Sequence, residues 1–482
     1  MPIPFTQIPA ALPVPGQYQE ADPSLAGGSG EIRRALIIAH GSGAGTAPAG
    51  KPVRVTSELR AAALFGAGSR AAIPARAFLA VNRTEECRVL PVDAPQAATA
   101  WRKKFAVSAA SAQQGAVTIT VCGARIDAEA VAAAVVARIN GGLWLPVEAE
   151  TLGGGEFSVA AVVPGTGGNA VAVEIVSEAA GVTVAEGETF PGSQTANIEP
   201  LLRGLGNVRC GCVASDFSDR DNVAAPADEL TDRFTALRQI GGRAFVAVTG
   251  DMEAVPAEAS GVNNPHIVPV PRMENPQLPG EWAARWCAAA CRVLADDPAA
   301  NTHNLAVPGL SSGSEYDVDS RRTLLAAGIA TYRADATGNV PVERLVTGYT
   351  ENADGGRDTS FLDIQVPETL DAVRAHINAE AARRFGRWKP ASTDGNFGSG
   401  ARVMTAGIFR PFLCELYPEV FIKQRRRCRD FDGYKNTIVV EIGPGSKTRL
   451  EYIHQPNLTG RFLIGAGPLQ FRQITGGNGN ET

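Results

Sequence analysis

The stretch IEPLLRGLGNVRCGCVASDFSDRDNVAAPADELTDRFTALRQIGGRAFVAVTG (residues 198–250) decides the fold class. Two short apolar runs, RCGCVAS (209–215) and AFVAVTG (244–250), are bounded by glycine and polar residues, as buried strands are. Helical spacing occupies Ile198 to Leu205 and Asp228 to Gln239. Strands alternating with helices predict a parallel or mixed sheet covered by helices, hence a multidomain α/β (α+β mixed) chain. The same texture continues outward. RRALIIAH (33–40), RVLPV (88–92) and NLAV (304–307) read as strands, and Ser57 caps a helix running through Leu64. Another helix is predicted from Glu281 to Leu294.

From Phe105 to Glu188 the texture changes to VTITVCGARI, a helix from Ala128 to Ile139, and FSVAAVVPGTGGNAVAVEIV. Alternating β-branched residues with glycine turns read as a β-rich insertion. Beyond the core, a helix is predicted from Asp319 to Ala327, a hairpin over 329–349 and a helix from Pro367 to Phe385. A strand pair, NTIVVEIGPG and LEYIHQ, follows. The expected organisation is an extended arm (1–30), a discontinuous α/β core (31–104 and 196–335), an inserted β-rich domain (105–195), a C-terminal domain (336–464) and a second extended arm (465–482).

The first arm carries prolines at 2, 4, 9, 13 and 15, which remove amide donors and fix φ, so no helix forms there. Its apolar side chains Ile3, Phe5, Ile8 and Tyr18, and Leu469 and Phe471 of the second arm, need cover. A partner surface supplies it most simply; packing on the arm's own domain is the other reading.

The 482 residues are 44% apolar and 20% charged with a net charge of −5, a folded profile that argues against a dedicated nucleic-acid binder. The 52 glycines and 32 prolines, about one residue in six, predict many turns. No run reaches the roughly 18 uninterrupted apolar residues of a membrane span, so no membrane insertion is expected. The proline-rich opening lacks the basic segment of a secretory signal, and a cytoplasm is the expected site of synthesis.

Three motifs touch chemistry. GTAPAGK (45–51) approaches a phosphate loop but continues into Pro52 in place of the magnesium-binding hydroxyl. GLSSG (309–313) matches a nucleophile elbow around Ser311, with His376 or His454 as base, and keeps a monomeric α/β hydrolase as the alternative. The five histidines show no metal-ligand spacing, so neither metal nor cofactor is expected.

KQRRRCR (423–429) clusters Lys423, Arg425, Arg426, Arg427 and Arg429 in an acidic chain. An acidic face of another subunit, a solvated face or nucleic acid could each account for it. Of eight cysteines, Cys287 and Cys291 stand one helical turn apart in an apolar helix and read as buried thiols. Cys428 among arginines reads as a low-pKa thiol, and Cys87 and Cys122 as strand positions reaching the surface. Disulfides between subunits through these three are the resulting expectation.

The stretch LLAAGIATYRADATGNVPVERLVTGYTENADGGRDTSFLDIQVPETLDAVRAHI (324–377) resembles the C-terminal domain of contractile-tail sheath proteins of the Mu-like bacteriophage class. The opening FTQIP (5–9), PVPGQY (13–18) and RRALIIAHGSG (33–43), with TSELRAAALFGAGSRAA (56–72), resembles the start of the same family. PGTGGNAVAVEI (164–175) is similar to a segment of its inserted β domain. Residues 401–449 depart from the family pattern. The resemblance implies a non-enzymatic virion subunit without cofactors, assembled in the host cytoplasm. It implies stacked hexameric rings around a tail tube, with baseplate and tail terminator proteins as further partners. Contraction would drive the tube through the host envelope, while the arms add strands to neighbouring copies.

Overall fold

The computed structural model describes residues 33–464 except 42–43, 110–114, 178, 251–261, 274, 311–315, 336–337, 392–401 and 443–448. Both arms therefore lie outside the described residues.

Six consecutive residues of the first strand, from Ala35 to His40, are buried, so this strand must be covered on both faces. It is β1 (Arg34–His40), followed by β2 (Val53–Val55), α1 (Glu58–Phe65), α2 (Ala72–Val81) and β3 (Glu86–Val92). Next come β4 (Arg102–Ala109), β5 (Ala116–Val121), β6 (Ala124–Glu129), α3 (Ala132–Asn140), β7 (Val147–Gly153), β8 (Glu156–Ala161), β9 (Val173–Val176) and β10 (Val182–Phe190). The α/β texture resumes with α4 (Glu199–Gly204), β11 (Cys212–Ser215), α5 (Arg220–Phe234), β12 (Arg243–Val248), β13 (Ile267–Pro271) and α6 (Pro279–Asp296).

The main sheet has the order β13-β12-β11-β1-β3-β2, parallel throughout except for β2. Helices α2 and α6 cover one face with Phe78, Trp282 and Trp286, and alanines of both helices line the shared core. On the other face α4 and α5 bring Leu202, Val223 and Leu230. The α/β expectation thus holds, as a mixed sheet. The β-rich segment forms two antiparallel sheets, β10-β4-β8-β7 and β6-β5-β9, around Phe105, Val117, Ile119, Val135 and Phe157.

Further along lie β14 (Leu305–Ala306), α7 (Val318–Ala326), β15 (Thr331–Tyr332), β16 (Pro341–Arg344), α8 (Gln365–Phe385), β17 (Lys389–Pro390) and β18 (Val403–Met404). Then follow α9 (Ala406–Leu416), a π-helical segment over Tyr417–Gln424, β19 (Cys428–Arg429), α10 (Phe431–Thr437), β20 (Val439–Ile442), β21 (Leu450–Ile453) and β22 (Asn457–Leu458). Aromatic packing holds this end together. The Tyr417 and Tyr434 rings stack at 3.6 Å and 8°, and Phe385 meets Phe412 edge-on at 5.0 Å.

Several helix boundaries differ from expectation, and the helix expected to reach Gln239 ends at Phe234. The helix expected from Asp228 begins at Arg220, because the Asp219 carboxylate caps it by accepting from the Asn222 amide, and Pro226 is carried inside. The helix expected from Ala128 begins at Ala132, because Ala124–Glu129 pairs with β5. Asp317, not Asp319, caps α7, accepting from the Ser320 amide at 2.7 Å.

Candidate assembly surfaces

The first residue of the described chain is tied to a helix far along the sequence. Arg33 forms an ion pair with Glu368 in the first turn of α8, and its amide donates to Glu85 Oε2 at 3.1 Å. Glu368 is fully buried and also faces Arg243 at 3.4 Å, while Arg243 reaches Asp371 at 3.3 Å. Near the other end, Arg461 pairs with Asp363 and donates to Gln365, and Arg344 holds Asp363 at 3.0 Å. Both ends of the described chain therefore anchor on one segment, Asp363–Glu368. Sequence reasoning missed this junction, because isolated arginines and carboxylates give no local signal of long-range pairing.

The basic run is divided by the fold. Lys423, Arg426 and Arg429 are exposed, with Lys423 on Glu419 at 2.6 Å and Arg429 donating to Asn457 Oδ1 at 3.2 Å. Arg426 has φ 53°. Arg425 is half-buried, and its amide donates to the Val420 carbonyl at 2.8 Å. Arg427 turns inward, 4.0 Å from Asp297. A continuous five-charge patch is thus corrected to three exposed cations.

An exposed apolar strip lies near the C-terminal strands. Val439 and Ile453 pair across β20 and β21, and they are 55% and 62% exposed. Tyr452 lines a cleft of about 340 Å³ with Phe234, Leu370, Val373 and Ile377. Phe462 and Ile464, at the end of the described chain, are 79% and 84% exposed.

The cysteine expectations change. Cys87 is 1% and Cys428 3% exposed, so neither reaches a neighbour's surface. Burial pushes the Cys428 thiol up to about 11, outweighing Arg427, and Cys87 up to about 12. Cys122 is half-buried with φ 50°, and burial also lifts its thiol to about 11. The low-pKa reading of Cys428 and the surface reading of Cys87 are therefore overturned, because tertiary burial outweighs the polar sequence flanks, while Cys122 keeps partial exposure. Cys287 and Cys291 are buried, as expected.

The motifs of the loops do not assemble a reaction centre among the described residues. In 45–51 the Ala47 amide donates to Leu64 O and the Gly50 amide to Pro91 O, both at 2.9 Å, which spends donors a phosphate would need. That loop leads into β2, not a helix. Ser311 lies outside the described residues. His376 packs edge-on against Phe421 at 5.5 Å, and His454 Nδ1 sits 3.2 Å from the Tyr434 hydroxyl. Among the described residues no cluster of His, Cys, Asp or Glu is arranged to hold a metal, and no helix is long and apolar enough to cross a membrane.

No family model matches the chain. A Mu-like prophage tail sheath protein of Haemophilus influenzae is 28% identical over 495 aligned residues, covering 98% of this chain and all of that protein. The chain is a relative of the Mu-like tail sheath proteins. Sheath structures also overlap it: the sheath tail protein of Desulfitobacterium hafniense matches 92% of this chain at 11% identity and TM-score 0.44. That of Listeria innocua matches 89% at 12% identity and TM-score 0.44, spanning 95% of its own chain. The baseplate structure of an anti-feeding prophage matches 96% at 13% identity and TM-score 0.48. The relationship to tail sheath proteins rests on the sequence match, and it supports a structural role in a phage tail.

Proposed function

We propose that the chain is a non-enzymatic tail sheath subunit that polymerises as stacked hexameric rings around a tail tube and contracts to drive the tube through the host envelope. The observation that carries this reading is the full-length match to a tail sheath protein, without large gaps at either end. The tail tube, baseplate and tail terminator proteins are the further partners, and the assembled virion is the site of action.

The arms are proposed to join subunits by adding strands to a neighbour's sheet, with Ile3, Phe5, Ile8 and Tyr18 and with Leu469 and Phe471 as anchors. Main-chain hydrogen bonds then hold copies together while folded bodies rotate. The inserted segment 105–195 is proposed to act as a separate domain on the 31–104 and 196–335 core, with 336–464 as the C-terminal domain. Lys423, Arg426 and Arg429 are proposed to meet an acidic face of a neighbour.

Negative-stain microscopy of the purified full-length chain, with and without residues 1–27 or 468–482, tests the reading. Tubes from the full chain and monodisperse folded subunits from both deletions are expected. A small globular oligomer that never forms tubes or rings overturns the sheath assignment. Tubes from both deletions overturn only the arms' part.

A further inference from the structure

Four of the eight cysteines converge beneath α6. The parallel register sets Cys87, Ala35, Cys212 and Arg243 side by side across β3, β1, β11 and β12, one row on the main sheet. Paired residues of neighbouring strands project to the same face, and Cys87, Ala35 and Cys212 all belong to the core formed with α6. Ala35 keeps the row low between its two cysteines. Helix α6 packs on β11 and presents Cys287 and Cys291, one turn apart, to this face. Cys87, Cys212, Cys287 and Cys291 all lie in this one buried core, each at most 1% exposed.

Two cations address the same sulfur. Arg33 Nη1 lies 3.9 Å from Cys212 Sγ, and Arg243 is its register partner on β12. The neighbouring helix thiols and these arginines draw the Cys212 thiol well below its usual range against burial, while burial raises Cys287, and the Cys212 sulfur, then burial, raises Cys291. Cys212, the sulfur beside the Arg33 guanidinium, is thus the most acidic of the trio, the asymmetry that thiol oxidation uses. Cys87 differs. Burial alone raises it, to about 12. The trio is not arranged as a metal site.

We propose that Cys212 is a peroxide-reactive sulfur that closes a disulfide with Cys287 or Cys291, stapling β11 to α6 within one subunit. The Cys212 sulfur attacks one peroxide oxygen; the O–O bond breaks, sulfenic acid forms, and hydroxide leaves and is protonated to water. A helix thiol then attacks the sulfenic sulfur, the S–S bond forms, the S–O bond breaks, and a second water leaves. Two thiols lose two electrons in total, and one hydrogen peroxide is reduced to two waters. Arg33, whose side chain is 16% exposed where the chain enters β1, is the group that must shift to admit the oxidant. This proposal is independent of the assembly reading, because it concerns the core of a single subunit.

The test treats folded full-length protein with stoichiometric hydrogen peroxide, blocks remaining thiols after denaturation, and maps peptides without reductant. Alkylatable thiols should fall from eight to six, the chain should stay monomeric on non-reducing gels, and a peptide linking Cys212 to Cys287 or Cys291 should appear. Cys212→Ser should keep all its thiols under the same treatment. If that variant does not fold, the double Cys287→Ala/Cys291→Ala should form no bridge and stop at oxidised Cys212, leaving five of its six thiols to alkylate. Eight thiols still free, a bridge between other cysteines, or Cys212 sulfinic acid without a bridge overturns the proposal.

Discussion

Arg70 grips Asp216 in two parallel hydrogen bonds of 2.6 and 2.7 Å, across 146 residues, with both side chains almost wholly buried. The same guanidinium donates to the Gly167 carbonyl of the inserted segment and to Asp216 O at 3.3 Å. One side chain at the start of α2 therefore joins the end of β11 to the β-rich insertion.

Removing one partner should be costly, because the other stays charged in a dry site. Arg70→Met or Asp216→Leu should each cost about 3–5 kcal/mol, whereas the double variant should cost markedly less than the sum. Urea denaturation of the three proteins measures this. Additive losses would mean that the pair is not coupled.

Two buried histidines predict acid sensitivity. Burial drives both His40 and His266 down to about 3 from 6.5, so between these values the unfolded chain binds protons that the folded chain refuses. Stability should therefore be retained above about pH 6.5 and fall as pH drops toward 3, by about 1.4 kcal/mol per pH unit for each histidine at the steepest. His40→Gln should flatten the pH 6 to 4 slope of the unfolding free energy by that amount, the carboxylate contribution being common to both proteins. An unchanged slope would show that His40 titrates normally.

The stacked tyrosines at the C-terminal end carry hydrogen bonds as well as packing. Tyr417 OH donates to Arg429 O at 2.8 Å and accepts from the Asn457 amide at 2.9 Å, pinning β19 to β22. Tyr417→Phe should cost about 1–3 kcal/mol through the unpaired groups left behind, and Tyr417→Ala about 3–5 kcal/mol through the cavity as well. Hydrogen exchange should show faster opening at Asn457 and Thr459 in the first variant. Equal protection in both proteins would deny the hydroxyl this role.

Three cations, not five, are available for contact. Lys423→Ser/Arg426→Asn/Arg429→Ser removes them, asparagine being chosen because it tolerates the left-handed backbone of Arg426. Subunit stability should change by less than about 1 kcal/mol. Assembly, measured by sedimentation, should weaken and lose its dependence on salt, since such attraction acts over about 8 Å at physiological ionic strength. Assembly identical to the parent at every salt concentration would leave the three residues as a solvated face.

Legibility along the chain followed the range of the interactions. RRALIIAH, RCGCVAS and AFVAVTG announced themselves as strands, because burial on both faces demands uninterrupted apolar residues, which is a local property. The hairpin between Tyr332 and Val342, and the inserted sheets with their β-branched alternation, were legible for the same reason. Pro226 obscured the start of α5, since a proline normally ends a helix from its own side.

What the sequence determined by itself was the α/β class, the strand identities and the likeness to tail sheath proteins, all of which reside in local pattern and residue order. Tertiary structure alone decided which charges and thiols matter. Arg427 and Arg429 stand two positions apart, yet one turns in toward Asp297 and the other faces solvent. Cys87 and Cys428 looked exposed from their polar neighbours, but burial is set by which elements cover a strand, and α6 and the aromatic cluster arrive from elsewhere in the chain. The Arg33–Glu368 and Arg70–Asp216 pairs follow the same physics: a buried charge needs its counter-charge within a few ångströms, and only the fold supplies that proximity.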